Sequence, residues 1–211
     1  TIVHSIAQAA AAADTLIVAV KPQDFEKALQ PAAGVRPEGQ LVVSIMAGVP
    51  IRRLAALFGE KTPIIRAMPN VACEVFQGAF GYCRNECVDD ARLAMVSGWF
   101  NAIGAAEEVK EELMDAVTGL SGSGPAFVAL FIEALADGGV AAGLPRPVAQ
   151  RLAAQTAMGA AQWVRDIGSP AALKDAVCSP AGTTIAGVRE LEGAAFRSAA
   201  IEAVVAAAAR S

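Results

Sequence analysis

The stretch Leu16-Ile17-Val18-Ala19-Val20-Lys21-Pro22 decides the fold of this chain. Its first five residues, Leu16–Val20, are an unbroken apolar run, and similar short runs alternate with stretches of helical periodicity over the first part of the chain. Strands that are apolar throughout are expected where helices cover both faces of a sheet. The alternation therefore predicts parallel βαβ units and a doubly wound sheet. The predicted strands are Leu16–Val20, Leu41–Met46 and Ile64–Met68, and the predicted helices are Ser5–Ala13, Phe25–Ala33 and Ile51–Phe58.

The rest of the chain completes the sheet and then becomes helical. Val75–Cys83 and Ala105–Val109 are predicted as further strands, separated by a helix over 89–103 that Asp89 would cap. The acidic stretch Glu107–Glu112 marks a boundary, after which the chain is alanine-rich with helical periodicity. We predict a Rossmann-type sheet domain over residues 1–110 and an all-helical domain over residues 111–211. The helices are predicted at 124–142, 147–166, 170–177, 184–191 and 195–209.

Composition narrows the class of partner. The chain has 211 residues, 17 Lys and Arg against 21 Asp and Glu, and a net charge of −4. It has no basic run of the kind that binds nucleic acid, so small-molecule partners are favoured. The longest uncharged stretch, Ala116–Ile132, falls short of the roughly 20 apolar residues that a bilayer span needs, so no membrane segment is expected.

Four cysteines and one histidine bear on chemistry and location. The cysteines lack C-x-x-C spacing and His4 is far from them, which argues against a metal site. We expect reduced thiols and a cytoplasmic protein, since the first residues do not have the pattern of a signal peptide. With His4 as the single histidine, hydrolase mechanisms that need a histidine base are disfavoured.

The segment from Ser179 to Thr184 (Ser-Pro-Ala-Gly-Thr-Thr) crowds hydroxyl groups and small residues into a turn that opens a helix. The first N–H groups of a helix lack internal partners and can hold a carboxylate. The alternative is that Ser179, Thr183 and Thr184 merely cap the helix. The residue pattern of this turn alone leaves both readings open.

Three loops follow predicted strands, at the edge where open α/β sheets bind ligands. They contain Lys21-Pro22, Met46-Ala47-Gly48 and Met68-Pro69-Asn70. No strand–G-x-G-x-x-G–helix unit occurs, and we interpret Gly119–Gly124 (Gly-Leu-Ser-Gly-Ser-Gly) as a close-packing turn and helix start. The sheet domain is thus expected to be incomplete, without its opening glycine-rich βαβ unit.

Six motifs, in this order and spacing, resemble pyrroline-5-carboxylate reductase over essentially the whole chain. They are Val20-Lys21-Pro22, Ser44–Val49 (Ser-Ile-Met-Ala-Gly-Val), Ile65–Asn70 (Ile-Arg-Ala-Met-Pro-Asn), Gly119–Ala126 (Gly-Leu-Ser-Gly-Ser-Gly-Pro-Ala), Leu173-Lys174-Asp175, and Ser179–Thr184.

The resemblance implies the last step of proline biosynthesis, in which hydride passes from NADPH or NADH to the C=N carbon of 1-pyrroline-5-carboxylate. Thr184 and Ser179 would be the catalytic residues, Thr184 at the ring nitrogen. Ser179, Gly182, Thr183 and Thr184 would bind substrate, Ser179 and the backbone N–H groups of the threonines holding its carboxylate. The cofactor side would be lined by Val20, Lys21, Pro22, Met46, Ala47, Gly48, Met68 and Asn70, with no metal.

Oligomerisation is predicted from the helical half. Ala126–Ile132 is apolar on every side, so it must be buried, against a partner chain or within its own domain. The resemblance implies a homodimer formed by the helical domain, and larger rings of dimers such as a decamer.

Two alternative functions, the choice of cofactor and one conformational question stay open. The chain could be a non-catalytic helical dimer or scaffold fragment, or a related two-domain dehydrogenase acting on a hydroxy acid, with Lys174 as its base. The choice between NADPH and NADH cannot be read without the ribose-binding region. Ala181 replaces a frequent glycine of the family, and we predict an ordinary negative φ there.

Overall fold

The computed structural model describes residues 2–211. Its helices and strands follow the sequence prediction closely. In chain order they are α1 Ile6–Ala11, β1 Thr15–Val18, α2 Phe25–Ala33, β2 Leu41–Ser44, α3 Ile51–Phe58, β3 Ile64–Met68, β4 Gly78–Arg84, α4 Asp90–Asn101, β5 Gly104–Glu108, α5 Met114–Val117, α6 Gly124–Ala141, α7 Arg146–Asp166, α8 Pro170–Val177, α9 Thr183–Gly193 and α10 Phe196–Arg210.

The five strands form one mixed sheet in the order β1-β2-β3-β4-β5. The parallel arrangement predicted for the first three strands is confirmed, with Val42 paired to Ile64 and Leu16 paired to Val42. β4 runs antiparallel to β3, and β5 is parallel to β4. The reversal occurs because only a short 3₁₀ turn, Val71–Val75, connects β3 to β4, whereas a parallel crossover needs a dozen or more residues. Because this turn extends to Val75, β4 begins at Gly78 rather than at the predicted start, Val75.

Helices cover the two faces of the sheet as the continuous apolar strands require. Val42 and Ile64 point to the face covered by α2 and α3, where Phe25 and Leu54 are buried. Val43 and Ile65 point to the opposite face, covered by α4 through Val96 and Phe100. Because alternate residues of a strand point to opposite faces, each central strand serves two cores. Asp89 caps α4 as predicted, its carboxylate accepting from the Arg92 amide at 2.8 Å.

A long apolar helical segment runs from Glu111 to Ala141. A 3₁₀ turn, α5, a π-helix over Thr118–Gly122 and α6 follow one another without a break. By length and composition alone this segment of 31 residues meets the test for a membrane span, as core helices of soluble proteins also do; an 18-residue window within it has a mean hydropathy of 1.4. The glycines do not interrupt it, because the π-helical turn keeps the backbone hydrogen-bonded through them.

The chain divides into two compact units: residues up to Pro125 with Val204–Ser211, and Ala126–Ala203. Below we call them the sheet unit and the helical unit. Their boundary lies later than the predicted domain boundary at residue 110. The helical unit has a small core, in which the buried residues are Ala136, Ala149 and Ala153. Large apolar side chains such as Leu130, which is 67% exposed, lie on its surface.

Candidate active site

The three loops predicted to bind the cofactor lie at the carboxyl ends of neighbouring strands β1, β2 and β3. The backbone continues this order past the strand ends, since the Ile45 amide donates to the Val18 carbonyl at 3.0 Å. The loop after β2 is fixed at its start by the Ser44 hydroxyl, which accepts from the Met46 amide at 3.3 Å. The sheet thus presents the three loops side by side along one edge.

The predicted cofactor residues of these loops fall into two groups. Met46 is buried, and Val20 and Met68 pack against the same apolar core, so these three can offer a ligand little besides their backbone. Lys21, Pro22 and Gly48 are exposed, and Ala47 is half-buried. The second group therefore contains the residues whose surfaces are accessible at this edge.

The accessible residues suit a flat or phosphorylated ligand. Gly48 has φ of 68°, a conformation that favours glycine, and a Cβ built there would meet no atom within 4 Å. A cleft of about 640 Å³ beside Lys21 is lined by two lysines and one aspartate, so its net charge is positive. Its lining residues are Ile6, Val20, Lys21, Asp24, Lys27 and Ala28. Open backbone and an adjacent ammonium group are features that a nucleotide cofactor needs.

Asn70 is engaged within the protein. Its Oδ1 accepts from the Ala79 amide at 3.2 Å, and its Nδ2 donates to the Ser121 carbonyl at 3.0 Å. It therefore joins the end of β3 to the start of β4 and to the π-helix, which leaves one N–H and one lone pair of the amide for any ligand. Sequence reasoning missed Ser121, because a backbone carbonyl leaves no signal in residue type.

The glycines of the π-helix serve close packing, as the sequence interpretation proposed. A Cβ on Gly119 would lie 2.6 Å from the Val204 carbonyl oxygen, and one on Gly122 would lie 2.8 Å from the Met68 methyl group. The segment is a π-helix rather than a turn. This rare geometry is often found at functional sites, and here it brings the Ser121 carbonyl to Asn70.

The predicted substrate-binding turn lies in the helical unit, between α8 and α9. The Gly182 amide donates to the Ser179 carbonyl at 3.0 Å, with Pro180 and Ala181 between them. Ala181 has φ of 56°, so our prediction of a negative φ is wrong. The reason is the turn itself: proline followed by a residue with positive φ is the type II geometry, which imposes the left-handed conformation even on alanine.

The hydroxyl groups of this turn do not cap the helix. The N-cap of α9 is Gly182, without a side-chain hydrogen bond to the first turn. A Cβ on Gly182 would lie 2.4 Å from the Ser179 Oγ, so a larger residue there would force that hydroxyl to move. Within residues 2–211, the amides of Thr183 and Thr184 have no acceptor. The helix-cap alternative is therefore wrong for these side chains, and the turn offers hydroxyl and amide donors together.

Two other titratable groups bear on possible chemistry. Burial, more than the nearby Glu111 charge, raises the pKa of the Cys83 thiol to about 11, so this thiol is neutral near pH 7. Lys174, the base required by the hydroxy-acid alternative, is 43% exposed and lies 3.7 Å from the Asp175 carboxylate. Neither group has the environment of an activated nucleophile or base.

A Rossmann-type sheet with three loops at the carboxyl ends of its parallel strands, followed by a helical unit, is the architecture of a two-part oxidoreductase that uses a dinucleotide cofactor. A family model described as "Pyrroline-5-carboxylate reductase dimerisation" matches residues 111–211, and one described as "NADP oxidoreductase coenzyme F420-dependent" matches residues 1–48. The chain belongs to the pyrroline-5-carboxylate reductase family.

Relatives and solved structures establish this membership over both parts of the chain. The pyrroline-5-carboxylate reductase of Synechocystis is 52% identical over 97% of this chain and 76% of its own length. That of Escherichia coli is 44% identical over 95% of this chain and 75% of its own length. The Plasmodium falciparum pyrroline carboxylate reductase, solved with NADP bound, superposes with a TM-score of 0.90 at 35% identity, covering 99% of this chain and 79% of that one.

Proposed function

We propose that this chain reduces the C=N bond of 1-pyrroline-5-carboxylate to give L-proline, using a nicotinamide cofactor. The observation that carries the proposal is the 52% identity to a pyrroline-5-carboxylate reductase, which extends through the sheet and the helical part alike. The uncommitted hydroxyl and amide groups of the Ser179–Thr184 turn supply the matching chemistry.

The substrate carboxylate would lie at the start of α9. There the amides of Thr183 and Thr184 and the Ser179 hydroxyl would donate hydrogen bonds to it, helped by the positive end of the helix. Thr184 would direct its hydroxyl to the ring nitrogen. Holding the imine in a fixed orientation against the cofactor would contribute much of the rate enhancement, because the reaction between two separate molecules would become a unimolecular step within one complex.

The reaction balances without a strong acid. The ring nitrogen gains a proton, the C=N carbon gains a hydride, and the double bond becomes a C–N single bond. A cyclic imine is basic enough to accept the proton readily, so the Thr184 hydroxyl would organise the proton at nitrogen rather than supply acidity. The hydride comes from NADPH or NADH.

The exposed residues of the sheet edge would hold the cofactor. Because Gly48 and Ala47 are small, the cofactor could approach the protein backbone closely there. Lys21 and Pro22 would lie along the charged part of the cofactor. Met46, Val20 and Met68 would contribute through backbone groups or by supporting the loops from the core. Asn70 would act mainly by joining these loops to the π-helix.

Membership of the family supports a proposal for the assembly and location of the protein. We propose a homodimer formed through the helical unit, as a basis for a larger ring of dimers, and a soluble cytoplasmic enzyme. The exposed apolar residues of α6, including Val128 and Leu130, support burial against a second copy.

The test is an assay that follows nicotinamide absorbance with pyrroline-5-carboxylate as substrate. We expect Thr184→Ala to lower kcat/KM by about 10- to 100-fold, as a lost hydrogen bond to a charged group implies, with the KM for the cofactor unchanged. Thr184→Ser keeps the hydroxyl and should retain most of the activity. No turnover by the unaltered protein would overturn the proposal, and equal activity of all three proteins would remove the role of Thr184.

A further inference from the structure

Arg66 is a charged side chain buried in the sheet unit. It lies in β3 on the face covered by α3, and its side chain is 6% exposed. A buried charge is strongly destabilising unless it is paired. Nη1 of Arg66 lies 3.3 Å from Oε1 of Glu111, Nη2 lies 4.0 Å from the Asp115 carboxylate, and Nε has no partner within residues 2–211.

The Glu111 carboxylate has a second contact, with the start of a helix. The same Oε1 accepts a hydrogen bond of 2.6 Å from the backbone amide of Ile51, the first residue of α3. The N-cap residue of α3 is Pro50, whose side chain has no group that can accept a hydrogen bond. Glu111 therefore supplies, from 60 residues further along the chain, the acidic cap that α3 lacks.

The position of Glu111 is fixed by its neighbour in the next turn. Met114 is 1% exposed and belongs to the same core as Leu54 of α3. Residues three apart in a helical segment share one face, so anchoring Met114 directs Glu111 towards α3 and Arg66. The acidic stretch that indicated a domain boundary in the sequence thus contains Glu111, which contacts both Arg66 and the first residue of α3.

The contacts of Glu111 with Arg66 and Ile51 lie at the end of the loop that follows β2. At the start of this loop the Met46 amide donates to the Ser44 hydroxyl, and directly after its end the Ile51 amide donates to the Glu111 carboxylate. A cleft of about 520 Å³ lined by Gly48, Arg52, Arg66, Glu111 and Asp115, among others, lies beside it. Val49 and Ile51 are buried in the apolar core, and the hydrogen bond from the Ile51 amide to Glu111 adds a polar contact at the end of the loop, beside the cleft.

We propose that Glu111 and Arg66 are positioning residues that hold the loop of residues 46–50 in the conformation that binds the nicotinamide cofactor. The inference rests on the proposed function, since it assigns to that cofactor the edge on which Gly48 lies. Neither residue needs to touch the cofactor: Arg66 orients the carboxylate of Glu111, and Glu111 fixes the amide of Ile51.

The experiment measures the contact and its consequence separately. Backbone hydrogen exchange at Ile51 and Gly48 is measured on the full chain without nucleotide, and the Kd for NADPH is measured by titration. The variants are Glu111→Ala, which removes both contacts, and Glu111→Gln, which keeps an acceptor for Ile51 and removes the charge facing Arg66. Glu112→Ala is the matched control, because Glu112 is 73% exposed and pairs only loosely with Lys110 at 3.9 Å.

For Glu111→Ala we expect at least 10-fold faster exchange at Ile51 and a 5- to 20-fold higher Kd and KM for NADPH, with the KM for the imine unchanged. Glu111→Gln should show a smaller change, and it guards against loss of folding in the alanine variant. Glu112→Ala should leave both readouts as they are.

Faster exchange at Ile51 with an unchanged Kd for NADPH would overturn the positioning role. Unchanged exchange in Glu111→Ala would show that the cap itself is absent and would overturn the proposal at its first step. Failure of the unaltered chain to bind NADPH would instead overturn the proposed function, and the positioning role with it, while the exchange rates would still report on the cap.

Discussion

The sheet unit and the helical unit differ in how they bury apolar surface. In the sheet unit, two cores lie on opposite faces of the strands and contain large buried side chains such as Phe25, Ile65 and Phe100. In Ala126–Ala203 the buried apolar residues are three alanines, while Leu130 and Met158 are more than half exposed. The first unit has the core of an independent domain, and the second does not.

This difference explains why the family model of the helical part is one of dimerisation. Folding must offset a large loss of conformational entropy, and three buried alanines contribute little towards it. A second copy of the helical unit would bury the exposed leucines, valines and methionines. We therefore expect the stability of the helical unit to depend on protein concentration and that of the sheet unit to be independent of it.

The largest effect is expected from a substitution in the exposed apolar surface of α6, because it tests the difference between the two units directly. Leu130→Glu would place a charge in the proposed dimer interface, so we expect a monomer with a poorly folded helical unit and activity reduced by more than about 100-fold. Sedimentation equilibrium and circular dichroism would measure this. Val35→Glu, at an exposed valine of the sheet unit, is the control. A dimeric, active Leu130→Glu protein would contradict the comparison.

An intermediate effect is expected within the sheet unit, where two strands approach closely. A Cβ on Gly104 in β5 would lie 2.0 Å from the Gly78 carbonyl oxygen in β4, so Gly104→Ala must push two strand backbones apart. We expect a loss of about 2–3 kcal/mol in the free energy of unfolding, measured in denaturant and independent of protein concentration.

Gly98→Ala is the matched control for this substitution. Gly98 lies in α4 with no atom within 4 Å of its Cβ position, and alanine there should stabilise the helix by up to about 1 kcal/mol. A loss at Gly104 that varied with protein concentration would show that the sheet unit also depends on the partner.

The smallest effect is expected at the turn of the helical unit. Ala181 occupies a left-handed position, so Ala181→Gly relieves strain but adds freedom to the unfolded chain, for a net gain of about 0.5 kcal/mol. Ala181→Val should instead lose about 1–2 kcal/mol, because a β-branched side chain is disfavoured there. Thermal unfolding at fixed protein concentration would measure both, and a stabilising valine would show that the positive φ is not maintained.

The sequence predicted the elements well because their signals are local. Phe25–Ala33, Ile51–Phe58 and Ile64–Met68 begin and end as predicted, since periodicity and the flanking proline or glycine define them. The reversal of β4 was missed, because the length of a connection and not the strand pattern decides strand direction. The predicted site residues were named from motifs, which do not show that Met46 is buried or that Asn70 binds Ser121.

The sequence by itself determined the order of the helices and strands, the family, and the residue types available for binding an anion. Only the tertiary structure decided which groups are free to bind. In the folded chain, Asn70 and Glu111 join distant segments through hydrogen bonds. The hydroxyls of Ser179 and Thr184 do not cap α9, and the turn holds Ala181 in a left-handed conformation. The reason is physical: propensity and periodicity act between near neighbours in the chain, whereas hydrogen-bond partners and close approaches depend on segments that only the folded chain brings together.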